Sequence, residues 1–435
     1  METSSSEKLV RAVGLFGLTA IALNGMIGSG IFVLPATVAK ILGPASPLAY
    51  LVSGMAVVLI VLCFAEVGSM FERAGGPYVY AREAFGSFIG FEVGWMFLLA
   101  RLTATAAISN AFTAYLGFFW PALAGGAGRI ASITVALTAL AWVNMRGVRF
   151  GAWTVNFLTV GKLVPMLFFI IAGLFLVDLR PQTFPLVINT AALRQAGLVL
   201  IFAFGGFEFA SVPSEEVINP RRNLPLALMA AIGITVILYL FIQIVAFGAL
   251  PELASATAPL ATAAQRFLGS MGAAVMTLGA ILSTTGTNSA TLLVGPRVFY
   301  VLARDGRLPA VLARVHPRFR TPYVSIALFA VMAWILAVFG SFAQLAAVSA
   351  IARLLYYITT CLSVPILRRK MPQAERAFKL LGGPLIPGAA VAISLWLLTG
   401  STAGQVMMGV GALLLGGLIY GLQSRAVRVP LDHVG

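Results

Sequence analysis

The sequence predicts an all-α integral membrane protein with twelve transmembrane helices, and three observations support this prediction. Of the 435 residues, 60% are hydrophobic and only 10% are charged, whereas soluble domains contain about 25% charged residues. Apolar stretches long enough to cross a bilayer, which takes about 20 residues, occur throughout the chain. The lysines and arginines are concentrated in alternate connecting segments.

The predicted spans are the apolar stretches that lie between charged residues, prolines and glycines. They cover residues 12–42, 46–72, 86–120, 129–145, 151–178, 191–217, 225–250, 270–302, 323–340, 342–367, 383–400 and 404–423. The segment from Pro259 to Leu268 precedes the eighth span and is expected to form a short external helix.

The basic residues predict how the chain is oriented. With the N-terminus inside, 21 of the 29 lysines and arginines fall in inner segments and 5 in outer segments. The remaining 3, Arg101, Lys162 and Arg353, fall within spans. Cytoplasmic loops collect lysine and arginine, so both termini are predicted to be cytoplasmic. The same rule explains the net charge of +15 without a nucleic acid partner. The predicted location is a cell membrane, and the compact termini favour a bacterial inner membrane.

Residues for metal, redox or catalytic chemistry are scarce. Cys63 and Cys361 lie inside apolar stretches and are expected to be reduced packing residues, and His316 and His433 lie outside the spans. No spacing of these residues matches a zinc site or a disulfide framework, and the sequence has no His-Glu-x-x-His motif. We therefore expect no cofactor, no metal site and no catalytic residue, which disfavours a membrane enzyme.

Two predicted spans are interrupted by glycine near their middle. The first contains Gly28-Ser29-Gly30, and the sixth contains Gly205-Gly206. Each opens a block of five spans, and an odd number of spans inverts the second block relative to the first. Matching interruptions in two inverted halves indicate the binding site of a transporter, although glycine also allows helices to pack closely. The predicted units are the first repeat, the inverted second repeat, and two additional helices with a cytoplasmic tail, at residues 1–185, 186–370 and 371–435.

Four motifs occur in an order and spacing that are specific only in combination. They are Gly25-Met26-Ile27-Gly28-Ser29-Gly30-Ile31-Phe32; Ala65-Glu66-Val67-Gly68-Ser69-Met70-Phe71 followed by Gly75-Gly76-Pro77-Tyr78-Val79-Tyr80; Glu215-Glu216-Val217-Ile218-Asn219-Pro220-Arg221-Arg222-Asn223-Leu224-Pro225; and Arg304-Asp305-Gly306-Arg307-Leu308-Pro309. With these motifs the chain resembles the amino acid–polyamine–organocation (APC) superfamily of transporters over nearly its whole length. The resemblance implies the LeuT-like fold, which is an inverted five-plus-five repeat.

The resemblance also implies a function, with alternatives that the sequence leaves open. The leading expectation is secondary active transport of L-amino acids by alternating access, without sodium, as an antiporter or a proton symporter. The alternatives are an exchanger of cationic amino acids or polyamines, such as arginine and agmatine, and a channel or receptor. The expected partners are an L-amino acid, the lipid bilayer and protons. Monomer and homodimer both remain open.

The predicted substrate site uses the polar ends of the broken helices. Backbone N–H groups at the start of a half-helix suit a carboxylate, and we assign this role to Gly28, Ser29 and Gly30. By resemblance, the substrate ammonium faces the carbonyls of the sixth span, with a further contribution from the first. The residues assigned to the ammonium are Phe202, Ala203, Gly205 and Ile27.

Three residues of the sixth span are candidates for gating: Phe202, Phe204 and Glu208. Glu208 could instead sense protons, or form an ion pair with Arg101 or Arg353. Three span acids, Glu66, Glu92 and Glu208, equal in number the three span bases, which suggests pairing.

Lys162 lies in the fifth span, and an ionisable group inside a membrane is a functional candidate. By resemblance, Lys162 takes the place of the sodium ion of sodium-coupled relatives and supports the broken first helix. Its proton is also a candidate for transport. The polar residues Thr284, Thr285 and Asn288 of the eighth span are expected mainly to satisfy helix carbonyls.

Overall fold

The structure is a computed structural model that describes residues 13–71, 75–147, 149–178, 189–211 and 217–426. Helices dominate these ranges, in which the only β-type pairing is an isolated bridge between Val13 and Val217. The helices are α1 Leu15–Met26, α2 Ser29–Leu42, α3 Ser46–Met70, α4 Pro77–Phe85, α5 Ser87–Phe119, α6 Gly126–Met145, α7 Arg149–Leu176, α8 Thr190–Phe204, α9 Pro220–Ala249, α10 Pro259–Arg304, α11 Tyr323–Phe339, α12 Phe342–Lys370, α13 Leu385–Leu398 and α14 Ala403–Ala426.

The helices confirm a multi-pass membrane protein. Across the described ranges, 9 helical stretches are long and apolar enough to cross a membrane, and α2 and α3 are counted together as one of them. Three further apolar helices, α1, α11 and α13, have 10–17 residues. Every predicted span overlaps at least one helix, and the number of helices that cross the membrane stays a prediction.

Two local features refine the predicted elements. Helix α4 is absent from the predicted spans, and it begins after Gly76, which has a φ of +51°. Within α10, Gly269 has a φ of +68°, so the helix bends there. This bend separates Pro259–Leu268 from the rest of α10, as expected for a short helix before the eighth span.

Two of the four motifs meet through side chains at the end of α10. The Tyr78 hydroxyl of α4 donates to the Asp305 carboxylate, and Arg82 Nη1 lies 2.5 Å from Asp305 Oδ2. Partial burial and this hydrogen bond raise the pKa of Tyr78 to about 12. Glu215 and Glu216 of a third motif lie outside the described residues.

The chain leaves helical geometry at both glycine interruptions. Helix α1 ends at Met26, Ile27 has a ψ of 82°, and α2 begins at Ser29. Helix α8 ends at Phe204, and Gly206 has a φ of +122° before a short 3-10 helix, Phe207–Ser211. A φ in this region favours glycine because other residues have a Cβ.

The two broken helices pack against each other on both sides of their interruptions. Helix α1 contacts the 3-10 helix, and α2 contacts α8. A Cβ on Gly25 would lie 2.4 Å from the carbonyl oxygen of Gly206, and a Cβ on Gly30 would lie 2.7 Å from Ala203 Cα. Glycine therefore allows backbone-to-backbone contact, and this contact brings the two interruptions together in the protein interior.

Candidate binding site between the broken helices

A small cavity lies where the two interruptions meet. It is lined by Gly25, Met26, Gly28, Ser29, Gly30, Arg101, Ala104, Ile108, Phe202, Gly205, Phe209, Thr287, Thr291 and Arg353. Its volume of about 10 Å³ is roughly the space that one water molecule needs. A larger ligand therefore requires lining side chains to move.

The structure brings five of the predicted substrate-binding residues to this cavity, namely Gly28, Ser29, Gly30, Phe202 and Gly205. The first N–H groups of a helix have no partner within that helix, so the start of α2 directs free donors and a partial positive charge to the cavity. Ser29 Oγ is buried without a hydrogen-bond partner in the described part of the chain. This end of the cavity can bind an anionic group.

The opposite end of the interruption, at the last turn of α1, is held by a buried lysine side chain. Lys162 Nζ donates to the carbonyls of Asn24 at 3.1 Å and Ile27 at 2.6 Å, and lies 3.5 Å from Thr287 Oγ1. Ser283 Oγ also donates to the Ile27 carbonyl, at 2.9 Å. The negative end of a helix dipole favours a cation, and such carbonyl and hydroxyl oxygens are ligands of hard metal ions.

Ile27 and Ala203 adjoin the cavity lining and use their carbonyls in bonds that connect helices. The Ile27 carbonyl accepts from Lys162, whereas the Ala203 carbonyl accepts from the Tyr239 hydroxyl at 3.3 Å. The same hydroxyl donates to the Met26 carbonyl at 2.9 Å. Tyr239 of α9 therefore links the two broken helices beside the cavity.

Glu208 lies behind the cavity lining, within a network of donors. Its Oε1 accepts from Arg101 Nη2 at 2.5 Å and from the Tyr356 hydroxyl at 2.6 Å. Its Oε2 accepts from the Gly206 N–H at 2.9 Å and from the Tyr357 hydroxyl at 3.2 Å. The structure therefore has the ion pair between Glu208 and Arg101 that the sequence left as one of several alternatives.

The two candidate gate phenylalanines lie in different surroundings. Phe202 lines the cavity, with its ring centroid 5.6 Å from that of Phe342. Phe204 is not among the lining residues, and its ring packs against Tyr50 and Tyr239 at centroid distances of 6.5 and 5.1 Å. Gating by either residue, or by Glu208, stays a prediction.

The acids and bases of the spans do not pair one to one. Glu66 pairs with Arg368, near the end of α12, at 2.6 Å. The Glu92 carboxylate is buried without a hydrogen-bond partner among the described residues, and Lys162 is bonded to carbonyls. The equality in number was therefore coincidental, because only Glu208 pairs with any of the three bases within the ranges described.

Two polar residues on α10 contact the site without being singled out on the sequence. Ser283 and Thr287 both bond to the end of α1. Thr284 instead donates to the Ala280 carbonyl of its own helix, as expected, and Asn288 Nδ2 donates to Ser109 Oγ at 3.0 Å. The spacing of four residues places Ser283 and Thr287 on one helix face, which is the available signal. Which face of α10 contacts α1 depends on how α10 is rotated about its axis, and only the structure gives that rotation.

Comparisons with known proteins show the family of the chain. The sequence model of the amino acid permease family matches residues 13–415. The chain is 29% identical to the branched-chain amino acid permease BcaP of Bacillus subtilis, over 97% of this chain and 95% of that protein. It is also 29% identical to the serine/threonine exchanger SteT of the same organism, over 96% of this chain and 98% of that protein.

A further relative shows that similar chains are not restricted to amino acids. The methylthioribose transporter of Bacillus subtilis is 29% identical over 97% of this chain and 95% of its own length. Because the family model matches nearly the whole chain and these relatives align end to end, the protein belongs to the amino acid permease family of the APC superfamily.

Proposed function

We propose that the protein is a secondary active transporter that moves L-amino acids across the membrane by alternating access. The observation that supports this most strongly is the convergence of two broken helices on one cavity. A zwitterion brings a carboxylate and an ammonium into the protein, and each costs free energy if it is buried without a partner. The two helix ends offer donors and acceptors for both groups.

In the proposed complex, the N–H groups of Ser29 and Gly30 bind the substrate carboxylate, together with that of Gly28, which donates to the Met26 carbonyl at 2.9 Å in the structure without substrate. The carbonyls at the end of α8, from Phe202, Ala203 and Gly205, face the ammonium, because the last carbonyls of a helix lack partners within that helix. The Ile27 carbonyl already accepts from Lys162 and Ser283, so its contribution is to hold the interruption in place. Phe202 moves to admit the substrate and then closes over it, and Phe204 supports that motion from behind.

The fold proposed for this motion is a twelve-helix inverted repeat, with units at residues 1–185, 186–370 and 371–435. The packing supports it, since the first half of one broken helix contacts the second half of the other, on both sides. Alternating access rocks the broken helices against the remainder of each repeat. The proposed location is a bacterial inner membrane with both termini inside.

We further propose that transport is independent of sodium. The Lys162 ammonium contacts oxygens of Asn24, Ile27 and Thr287. A sodium ion bound at this place would need the same oxygens as ligands, so the lysine and the ion exclude each other. The transporter is then an antiporter or a proton symporter, and Lys162 is the better candidate for the coupling proton. Glu208 is engaged by Arg101 and two tyrosines, which also disfavours the alternative of a cationic substrate held by this carboxylate.

Counterflow in proteoliposomes tests the proposal. Vesicles loaded with a mixture of unlabelled L-amino acids should accumulate a labelled L-amino acid transiently above its external concentration. Replacing sodium by choline should leave the rate unchanged. The variant Gly28→Leu should abolish the signal, since its side chain would extend beyond a Cβ position already 3.2 Å from Thr287 Cγ2.

Two controls define failure of this experiment. Vesicles without protein set the background, and Gly28→Leu must elute from gel filtration as the wild type does. Flux that is conductive and shows no counterflow would indicate a channel. A strict sodium requirement would contradict the role of Lys162.

A further inference from the structure

We propose that the preferred substrates are amino acids with an acidic side chain, and that Arg353 binds the side-chain carboxylate. The inference rests on the proposed function, because it assigns a substrate class to the same cavity. It concerns two arginines, Arg101 of α5 and Arg353 of α12, which are the only charged residues in the described lining.

The charge around the cavity is unbalanced. Arg101 is completely buried and Arg353 is 3% exposed, and both guanidinium groups remain charged in proteins. Among the described residues, Glu208 is the one carboxylate paired with either of them. Two buried cations thus share a single anion, and a buried cation without a counter-ion is unfavourable. An anion in the cavity would restore the balance.

Glu208 is much closer to one arginine than to the other. Its Oε1 lies 2.5 Å from Arg101 Nη2 but 3.7 Å from Arg353 Nη1, and the second distance is too long for a hydrogen bond. Arg353 Nη1 is buried without any hydrogen-bond partner within the described ranges, whereas its Nε lies within bonding distance of Ser349 Oγ, at 3.3 Å. Arg353 therefore has a spare donor at Nη1, against the end of α8. Arg101 also has a buried Nε without a partner in the described ranges, but its Nη2 already donates to Glu208 and to the Tyr356 hydroxyl.

The position of Arg353 places those spare donors at the interruption itself. Its Nη1 would lie 1.5 Å from a Cβ built on Gly205, so the guanidinium rests directly against the end of α8. Its Cζ lies 5.9 Å from the ring centroid of Phe202, the candidate gate. A ligand group that bonds Arg353 would therefore lie next to the proposed ammonium site and next to Phe202.

The chemistry that suits this arrangement is a second carboxylate. The N–H groups of α2 bind the α-carboxylate, and the planar guanidinium of Arg353 can bind another carboxylate through two parallel hydrogen bonds. A lysine or arginine substrate would bring a second positive charge of its own, besides the α-ammonium, towards the two arginines. A neutral side chain would leave Arg353 Nη1 without a partner. Dicarboxylic amino acids, represented by L-aspartate and L-glutamate, fit best.

Competition in the counterflow assay tests the substrate class in the wild type. L-glutamate and L-aspartate are compared with L-glutamine and L-asparagine, which have nearly the same shape without the charge, and with L-lysine. We expect the acidic amino acids to compete at concentrations about tenfold to hundredfold lower than their amides, as for a hydrogen bond between charged groups. We expect L-lysine to be the weakest competitor.

Variants of Arg353 test the residue. Arg353→Met should remove the preference for L-glutamate over L-glutamine while L-glutamine still exchanges. Arg353→Lys should retain part of the preference, because the positive charge remains. The matched control is Arg266→Met, which replaces an exposed arginine outside the lining and should leave the ranking unchanged. If Arg353→Met does not fold, the role of Arg353 is judged from Arg353→Lys and the wild-type ranking. A preference for L-glutamate over L-glutamine in Arg353→Lys as strong as in the wild type would contradict that role.

The outcomes separate this inference from the proposed function. Exchange of neutral or cationic amino acids with exclusion of L-aspartate and L-glutamate would overturn the acidic preference and leave amino acid transport intact. An unchanged preference in Arg353→Met would overturn the role of Arg353. Absence of exchange with every amino acid would contradict the proposed function itself.

Discussion

Lys162→Met is expected to reduce amino acid uptake by proteoliposomes to background. Methionine has nearly the length of lysine but no charge, so the change mainly removes the ammonium that bonds the carbonyls of Asn24 and Ile27. A hydrogen bond to a charged group contributes about 1.5–3 kcal/mol, and two are lost together. The last turn of α1 would keep the hydroxyl bonds from Ser283 and Thr287 but lose both bonds from Lys162, and we expect the interruption to lose its binding geometry.

The matched control for this prediction is Lys40→Met, which replaces an exposed lysine near the end of α2. It should transport at the wild-type rate. The variant Lys162→Arg adds a test of geometry, because a planar guanidinium cannot reproduce a compact ammonium, and we expect it to be inactive as well. Wild-type uptake in folded Lys162→Met protein would show that this cation has no part in transport.

Gly206→Ala is expected to prevent the two broken helices from packing. The added Cβ would lie 2.2 Å from the carbonyl oxygen of Gly25 and 2.3 Å from its carbon, and backbone atoms cannot rotate away as a side chain can. The φ of +122° adds strain, because alanine at a positive φ is destabilising. We expect a lower melting temperature in detergent, measured by tryptophan fluorescence, and loss of uptake.

Gly233→Ala provides the control for that substitution. Gly233 lies inside α9 with no atom within 4 Å of a built Cβ, and alanine is favoured over glycine in helices by up to about 1 kcal/mol. Its melting temperature should equal or exceed that of the wild type. An unchanged melting temperature in Gly206→Ala would mean that the close approach of the broken helices is not required for the fold.

The helical class and the positions of both interruptions could be predicted because they depend on local sequence. Apolar length predicts a spanning helix, and glycines such as Gly206 mark backbone that other residues cannot adopt. Helix α4 was missed because its sequence, Pro77–Phe85, is short and only moderately apolar. The bend at Gly269 lies where the predicted short helix Pro259–Leu268 ends and the eighth span begins.

The site was only partly predictable, because its chemistry depends on how helices are rotated against each other. The backbone groups of Gly28 and Gly205 belong to the interruptions themselves, so their placement follows from the sequence. The placement of the α10 side chains that contact the end of α1 does not follow from the sequence. Ser283, Thr284 and Thr287 are equally polar, and only the rotation of α10 decides which of them face α1. The same holds for Arg353, whose unpartnered nitrogen becomes apparent only when α12 is packed against α8.

The central claim is that an amino acid binds between the two broken helices, and its position in an experimental structure determined with saturating substrate tests this most directly. We expect the α-carboxylate within hydrogen-bonding distance of the N–H groups of Gly28, Ser29 and Gly30, and the ammonium at the carbonyls that end α8. A substrate bound elsewhere, or bound here with its ammonium at the start of α2, would contradict it.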